Sequence, residues 1–220
     1  MITRQIALKR GKTVSAVNIS DNKEITPALL ALDIPHPKKV IVLVGGASGI
    51  GFLDKFAMRK AIRSVAKLAE KTDAVIIDGG TQAGIMAEIG KQRKANQYSF
   101  PLIGVVFDSL IMKEDPKKIL DPNHTRFIFI PGDDWGAESA WISKIATAVA
   151  GNEKSITILI NGGEISQHDV QYSLLENRPV FIMRGTGRLA DDITLTRKIT
   201  AIDIAEPSSK IQNHLEAQLS

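Results

Sequence analysis

The sequence contains no cysteine, which excludes disulfide bonds, thiolate metal sites and a cysteine nucleophile. Its four histidines, His36, His124, His168 and His214, stand far apart without HExxH-like spacing, so we expect no dedicated metal site. Gly, Lys or Asp interrupts every apolar run before the roughly 18 residues that a membrane span needs. The N-terminus lacks the continuous apolar stretch of a secretory signal. We therefore expect a cytoplasmic protein that does not enter a membrane by itself.

Aromatic residues are scarce, at 5% of the sequence. The chain is basic, with a formal net charge of +4, which raises the question of a nucleic-acid partner. The densest basic cluster follows helical spacing and consists of Lys55, Arg59, Arg63 and Lys67. No aromatic side chains interleave with this stripe to stack on bases, so the pattern predicts a solvated helix face. We expect no nucleic-acid partner.

What the sequence does contain is a repeated unit: a β-branched apolar run, a glycine-rich turn and a segment with helical spacing. Each unit predicts a buried parallel strand, a tight turn and the N-terminus of a helix. The predicted strands are 40–44, 74–77, 102–107, 126–130, 156–160 and 179–183. The sequence therefore predicts an α/β fold with a single doubly wound, mostly parallel, Rossmann-like sheet.

The two ends of the chain differ from this repeat and set the predicted boundaries. Residues 1–37 contain two short strand-like segments joined by a basic turn, which predict a β-hairpin or edge strands packed on the domain. Residues 38–205 form the predicted binding domain, and residues 206–220 a polar C-terminal tail that is helical or frayed. The connection 108–125 is long, and loops of this length in compact domains often have a function.

The glycine-rich turns are expected at one edge of the sheet, because the carboxyl ends of parallel strands meet there. Glycine lets backbone N–H groups approach a ligand closely, and helix N-termini favour anions, so we expect a phosphate-bearing ligand. Its predicted contacts in the turns are Gly45, Gly46, Ala47, Ser48, Gly79, Gly80, Thr81, Gly84, Gly132, Gly136, Gly162, Gly163, Glu164, Gly185, Thr186 and Gly187.

Five side chains beside these turns are candidates for specific roles. Arg188 is a candidate contact of a pyrophosphate, with a solvent-exposed arginine at the helix cap as its alternative, and Trp135 is a candidate to stack on an adenine. Glu138 and Asp133 are a candidate acid–base pair or contacts of a ribose hydroxyl; alternatively, they cap and start the following helix. His124, just before a strand, is a further candidate, with a hydrogen-bonded structural histidine as its alternative.

One motif suggests a different enzyme class, the NAD-dependent short-chain dehydrogenases. Their glycine signature is close to Gly45-Gly46-Ala47-Ser48-Gly49-Ile50-Gly51. Those enzymes need a Tyr-x-x-x-Lys pair on a helix. Tyr98 is followed four residues later by Leu102, and Tyr172 by Glu176, so neither tyrosine supplies the pair. The dehydrogenase interpretation is therefore disfavoured.

The turns and their neighbours form an ordered set of motifs over about residues 38–195. In order, the motifs are Gly45-Gly46, Asp78-Gly79-Gly80-Thr81-Gln82-Ala83-Gly84, Asn123-His124-Thr125, Pro131-Gly132-Asp133, Trp135-Gly136-Ala137-Glu138, Asn161-Gly162-Gly163 and Gly185-Thr186-Gly187-Arg188. This set resembles the SLOG superfamily, specifically the prokaryotic relatives of the cytosolic N-terminal region of TRPM ion channels. The resemblance implies a modified Rossmann-type domain that senses a nucleotide derivative, with ADP-ribose or a related NAD product as the leading candidate.

The same superfamily includes LOG-type phosphoribohydrolases, which release a base from a nucleoside monophosphate and carry Pro-Gly-Gly-x-Gly-Thr-x-x-Glu. This chain departs from that pattern after Pro131-Gly132, because its next glycine is displaced to Gly136 and no threonine follows it. The resemblance therefore implies a ligand sensor, with a phosphoribosyl or N-glycosidic hydrolase using Glu138 and Asp133 as the alternative. It implies no cofactor beyond a nucleotide-derived ligand such as ADP-ribose, NAD or a nucleoside phosphate, and leaves open a homodimer or higher oligomer.

Overall fold

The centre of the molecule is a twisted sheet, seen in a computed structural model that describes residues 1–46, 52–134 and 136–220. Nine strands form this sheet within the described residues. They are β1 (Ile2–Ala7), β2 (Thr13–Asn18), β3 (Val40–Gly45), β4 (Val75–Asp78), β5 (Leu102–Phe107), β6 (Arg126–Ile130), β7 (Ser155–Ile160), β8 (Val180–Arg184) and β9 (Ile199–Asp203).

The strands follow the order β1-β2-β6-β5-β4-β3-β7-β8-β9 across the sheet. Only the β1–β2 pair is antiparallel among the described pairs, and each remaining pair of neighbours is parallel. The chain winds outward from β3 to β6, then returns to β7 on the other side of β3. This arrangement confirms the predicted doubly wound, mostly parallel α/β sheet with an N-terminal hairpin at its edge.

The helices cover both faces of the sheet. They are α1 (Ile25–Ala31), α2 (Phe52–Thr72), α3 (Gly84–Ala95), α4 (Asp108–Lys113), α5 (Pro116–Ile119), α6 (Glu138–Ala150), α7 (Glu164–Leu175), α8 (Leu189–Asp192) and α9 (Ser208–Leu219). Apolar residues of α1, α6, α7 and α8 pack in one core, and those of α2, α3 and α9 pack in the other.

Strand β3 shows why these runs are apolar throughout. Val40, Val42 and Val44 belong to the core under α6, whereas Ile41 and Leu43 belong to the core under α2. Side chains alternate along a strand, so a strand covered on both faces must be apolar at every position. This burial explains the continuous β-branched runs that predicted the strands.

Both ends of the chain join the fold. Strand β2 pairs with β6 in the register Ser15↔Arg126, so the hairpin extends the sheet. At the other end, α8 begins at Leu189 as predicted but is only four residues long, and the unpredicted β9 pairs with β8. The segment expected as a polar tail contains α9, whose buried Leu215 and Leu219 lie in the core beside α2.

The helices of the described residues include none that is both long and apolar enough to cross a membrane. The division of the chain at residues 37/38 and 205/206 stays a prediction.

Candidate functional site

The candidate site lies where the winding of the sheet reverses, between β3 and β7. Strands β3 to β8 are parallel, so their following turns share one edge of the sheet. The turn at Gly46 follows β3, and the turn 161–163 follows β7. In open α/β sheets, the crevice outside such a reversal is the usual place for a ligand.

A cavity of about 570 Å³ opens at this edge. Its wall is largely apolar and includes Met86, Val105, Phe107 and Ile142. The predicted site residues that line it are Gly45, Gly46, Gly79, Thr81, Glu138, Gly163, Glu164 and Arg188. The cavity lies within the size range of small-molecule sites, and it combines an apolar wall with a few polar groups, as such sites do.

Arg188 lies between the turns that follow β3 and β7. A Cβ atom added to Gly163 would lie 2.5 Å from Arg188 Nη2, and one added to Gly46 would lie 3.4 Å from Arg188 Nη1. A side chain at Gly163 would thus displace the guanidinium. The backbone of Arg188 has φ 56° and ψ −137°, a conformation that non-glycine residues seldom adopt, and such strain tends to occur at functional sites.

Two carboxyl groups face the cavity from neighbouring helices. Glu138 begins α6, and Asp169 lies in α7, which packs against α6. Burial raises the pKa of Glu138, while the N–H of Gly136, 2.6 Å from Glu138 Oε2, works in the opposite direction. Burial raises the pKa of Asp169 to about 7; the nearby Ser139 hydroxyl opposes this shift, and the charge of Glu138 adds to it.

Asp169 has an unusual environment for a carboxyl group. Its Oδ1 atom is buried and has no hydrogen-bond partner among the described residues. An unsatisfied buried acceptor is costly, and in a cavity wall it can be satisfied by a donor group of a ligand. With Glu138, it gives the cavity a pair of carboxyl groups suited to hydroxyl or amine donors.

The structure does not bring Asp133 together with Glu138. The side chain of Asp133 is 65% exposed, lies outside the cavity and forms a 3.8 Å ion pair with Lys113. Since Asp133 precedes the helix on an exposed turn, it points its charge to solvent, and Asp169 of α7 takes the place beside Glu138.

The turn after β8 is held by the protein itself. Asp191 accepts hydrogen bonds from the N–H groups of Gly185, at 2.7 Å, and Gly187, at 3.0 Å. The hydroxyl of the buried Thr186 accepts from Asn161 N at 2.8 Å and donates to Met183 O. These groups tie the turns after β7 and β8 together. The predicted contacts Gly185, Thr186 and Gly187 do not line the cavity.

His124 is hydrogen-bonded within the protein and does not line the cavity. Its ring is fully buried, with Nδ1 2.9 Å from Asp121 Oδ2 and Nε2 2.8 Å from Asp78 Oδ1. Burial disfavours the charged ring, but the attraction of Asp78, reinforced by Asp121, outweighs it and raises the pKa of His124 to about 9. An imidazolium bound by two carboxylates therefore fixes the end of β4 to the segment before β6.

Five other predicted contacts do not line the cavity. The N–H of Gly80 donates to Asp78 Oδ1 at 2.7 Å and is therefore already bound. The remaining members of this group are Gly84, Gly132, Gly136 and Gly162. Ala47, Ser48 and Trp135 lie outside the described residues.

Asp169 is the functional candidate that the sequence reasoning missed. A signal was present, since Ser166, Val170 and Ser173 form the buried stripe of α7, and Asp169 lies beside that stripe. A carboxyl group next to the buried side of a helix is uncommon unless it is paired. The described part of the chain has no group of three or more His, Asp or Glu side chains placed so that together they could hold a metal ion.

Comparison with known proteins identifies relatives of this chain. The family described as "SLOG in TRPM, prokaryote" matches residues 38–218. The transient receptor potential cation channel subfamily M member 2 of Rattus norvegicus is 22% identical in an alignment that covers 80% of this chain and 14% of the channel. The transient receptor potential cation channel subfamily M member-like 2 protein of Nematostella vectensis is 26% identical in an alignment that covers 77% of this chain and 14% of that protein. The chain thus spans only a small part of these relatives.

The fold also has a counterpart among solved structures. The X-ray structure of TM1055 superposes with a TM-score of 0.57 at 16% identity, covering 80% of this chain and 99% of that one. At this level of identity the likeness supports the fold alone.

Proposed function

The chain belongs to the prokaryotic SLOG family related to TRPM channels, and on this basis we propose that it binds a nucleotide-derived phosphate ligand. One observation carries the proposal. The guanidinium of Arg188 lies against Gly46 and Gly163 at the mouth of a cavity at the β3–β7 reversal. A planar cation beside two glycine turns is suited to the oxygens of a phosphate or pyrophosphate.

The helix termini around the cavity favour the same ligand. Helix α7 begins directly after Gly163, and α3 begins at Gly84, with Ala83 and Ile85 in the cavity wall. Helix N-termini carry partial positive charge, so they stabilise a bound anion.

The rest of the cavity suits a nucleoside. Phe107, Val105 and Ile142 offer an apolar surface for a base, and Glu138 and Asp169 offer acceptors for ribose hydroxyls. ADP-ribose or a related NAD product combines a base, ribose and pyrophosphate, and we propose it as the ligand class. We further propose that the protein acts in the cytoplasm as a ligand sensor, without nucleic acid, as a homodimer or higher oligomer.

The test measures ligand affinity by calorimetry for ADP-ribose, NAD and AMP. Arg188→Ala should weaken binding by about 10- to 100-fold, because a charge-assisted hydrogen bond contributes roughly 1.5–3 kcal/mol. Arg197→Ala is the matched control, since Arg197 is exposed, lies outside the cavity and changes the net charge equally. Equal effects of the two substitutions, or no binding of any probe at millimolar concentration, would rule out the proposed site.

A second candidate function is hydrolysis of an N-glycosidic bond. The observation favouring it is the Glu138–Asp169 pair, because carboxyl groups with raised pKa values can act as general acids. In this case the wild type should release a base from a nucleoside monophosphate at catalytic turnover, and Glu138→Gln should abolish that release. Ligand binding without product would leave the sensor as the function.

A further inference from the structure

A second cavity, of about 330 Å³, lies near the C-terminal end of α3, whereas the first lies at its N-terminal end. The 12 residues of α3 separate the two ends by about 18 Å. Four basic residues line it: Lys9 and Lys12 around the hairpin turn, and Arg93 and Lys94 in the last turn of α3. We call this cavity the basic cleft. Its remaining described lining residues are Gln97, Tyr98, Pro122 and Asn123, and none of them is acidic.

Two of the cations are held in place by backbone carbonyl groups. Lys12 Nζ donates to Pro122 O and His124 O, both at 2.9 Å. Arg93 Nε donates to Phe100 O at 2.7 Å. These acceptors are neutral, so they fix the cations without cancelling their charge. The carboxylate of Glu70, which does not line the basic cleft, also attracts Arg93. An ammonium has three N–H donors and a guanidinium five, which leaves donors for a bound anion.

The charges in the basic cleft act on one another. Burial lowers the pKa of Lys12, and the charges of Arg93, Lys94 and Arg126 lower it further, while Asp121 opposes them. Asp121 is itself bound to His124. Like charges gathered at a concave surface concentrate a positive potential, and this potential attracts anions.

Helix geometry explains only part of this cluster. Cations in the last turn of a helix are stabilised by the helix dipole, which accounts for Arg93 and Lys94. It does not account for Lys9 and Lys12, which come from the separate hairpin. Two independent elements therefore bring like charges to one cavity.

We propose that the basic cleft binds a small, multiply charged phosphate anion, at a site separate from the cavity at the β3–β7 reversal. Several negative charges on one ligand offset the mutual repulsion of the four cations. The volume holds about ten water-sized groups, the scale of two or three linked phosphoryl groups. Tyr98 and Asn123 add polar groups to the wall.

The experiment titrates the full chain with inorganic tripolyphosphate at constant ionic strength, using calorimetry and backbone amide NMR. Lys94→Glu is the test variant, and Lys67→Glu on the exposed face of α2 is its control with the same charge change. We expect amide shifts at Tyr98 and Asn123, about tenfold weaker binding for Lys94→Glu, and no more than about a twofold change for the control.

Three results would overturn the proposal: no binding at millimolar tripolyphosphate, amide shifts confined to Gly46 and Gly163, or equal loss of affinity in Lys94→Glu and Lys67→Glu. Arg188→Ala separates the two sites, because it should leave tripolyphosphate binding in the basic cleft unchanged. Failure of the first cavity to bind nucleotides would not alter this measurement.

Discussion

The imidazolium of His124 makes a contribution to stability that should disappear at alkaline pH. The ring is fully buried between Asp78 and Asp121, and both of its nitrogens face carboxylate oxygens. Only the protonated ring can donate to both. Removing the proton therefore costs a hydrogen bond and leaves two buried carboxylates without a cation.

The size of this contribution follows from the two pKa values. The pKa of His124 is about 9 in the folded protein and about 6.5 in an unfolded chain. That difference corresponds to about 3 kcal/mol in the free energy of unfolding. Because the folded pKa is the higher one, the contribution is fully present below about pH 6.5 and is lost as the pH rises to about 9.

Urea unfolding of the wild type and His124→Gln at pH 6, 7.5 and 9.5 measures this contribution. The difference in unfolding free energy between the two proteins should shrink by about 3 kcal/mol from the lowest to the highest pH. A difference that is independent of pH would refute the reasoning. If His124→Gln does not fold, the NMR titration of the wild-type ring decides, since a midpoint near 6.5 instead of 9 contradicts the buried ion cluster.

Three further predictions concern single side chains. Gly80→Ala should destabilise the protein by about 3 kcal/mol in urea unfolding, because its Cβ would lie 2.8 Å from a backbone Cα; Gly11→Ala, at a similar positive φ with nothing within 4 Å, should cost only about 1 kcal/mol. Asp191→Ala should speed amide hydrogen exchange in the turn after β8, and unchanged rates would contradict its role as the acceptor there. Because the pKa of Asp169 is raised in the folded protein, the wild type should lose stability as the pH rises from about 4 to about 7. Asp169→Asn does not titrate there, so its free energy of unfolding in urea, relative to that of the wild type, should be higher at pH 8 than at pH 4.

The sheet was predictable because a strand buried on both faces must be apolar at every position, and this gives a continuous apolar run in the sequence. Strands β3 to β8 are short, β-branched runs that end in turn residues, and each of their observed bounds lies within one residue of the predicted one. Strand β9 was not predicted because the exposed Thr200 interrupts its apolar residues, so the strand has no continuous apolar run.

The candidate site was predictable in its place but less so in its side chains. Gly46, Gly163 and Arg188 follow from local motifs, since each belongs to a turn at the end of a strand. The position of Asp169 beside the buried side of α7 has a local signal, but its approach to Glu138 depends on how α7 packs against α6, which is a tertiary contact. For the same reason, the sequence could not show that His124 lies between two carboxylates from separate segments.

The pairing of β2 with β6 bears on how this family domain can be isolated. Phe127, Ile128, Phe129 and Ile130 of β6 are fully buried, and β2 covers the hydrogen-bonding edge beside them. Expressing only residues 38–220, close to the segment matched by the family, would uncover that apolar edge. Such an edge recruits strands from other chains, so the shortened protein should aggregate, and the first twenty residues belong in any version intended for solution work.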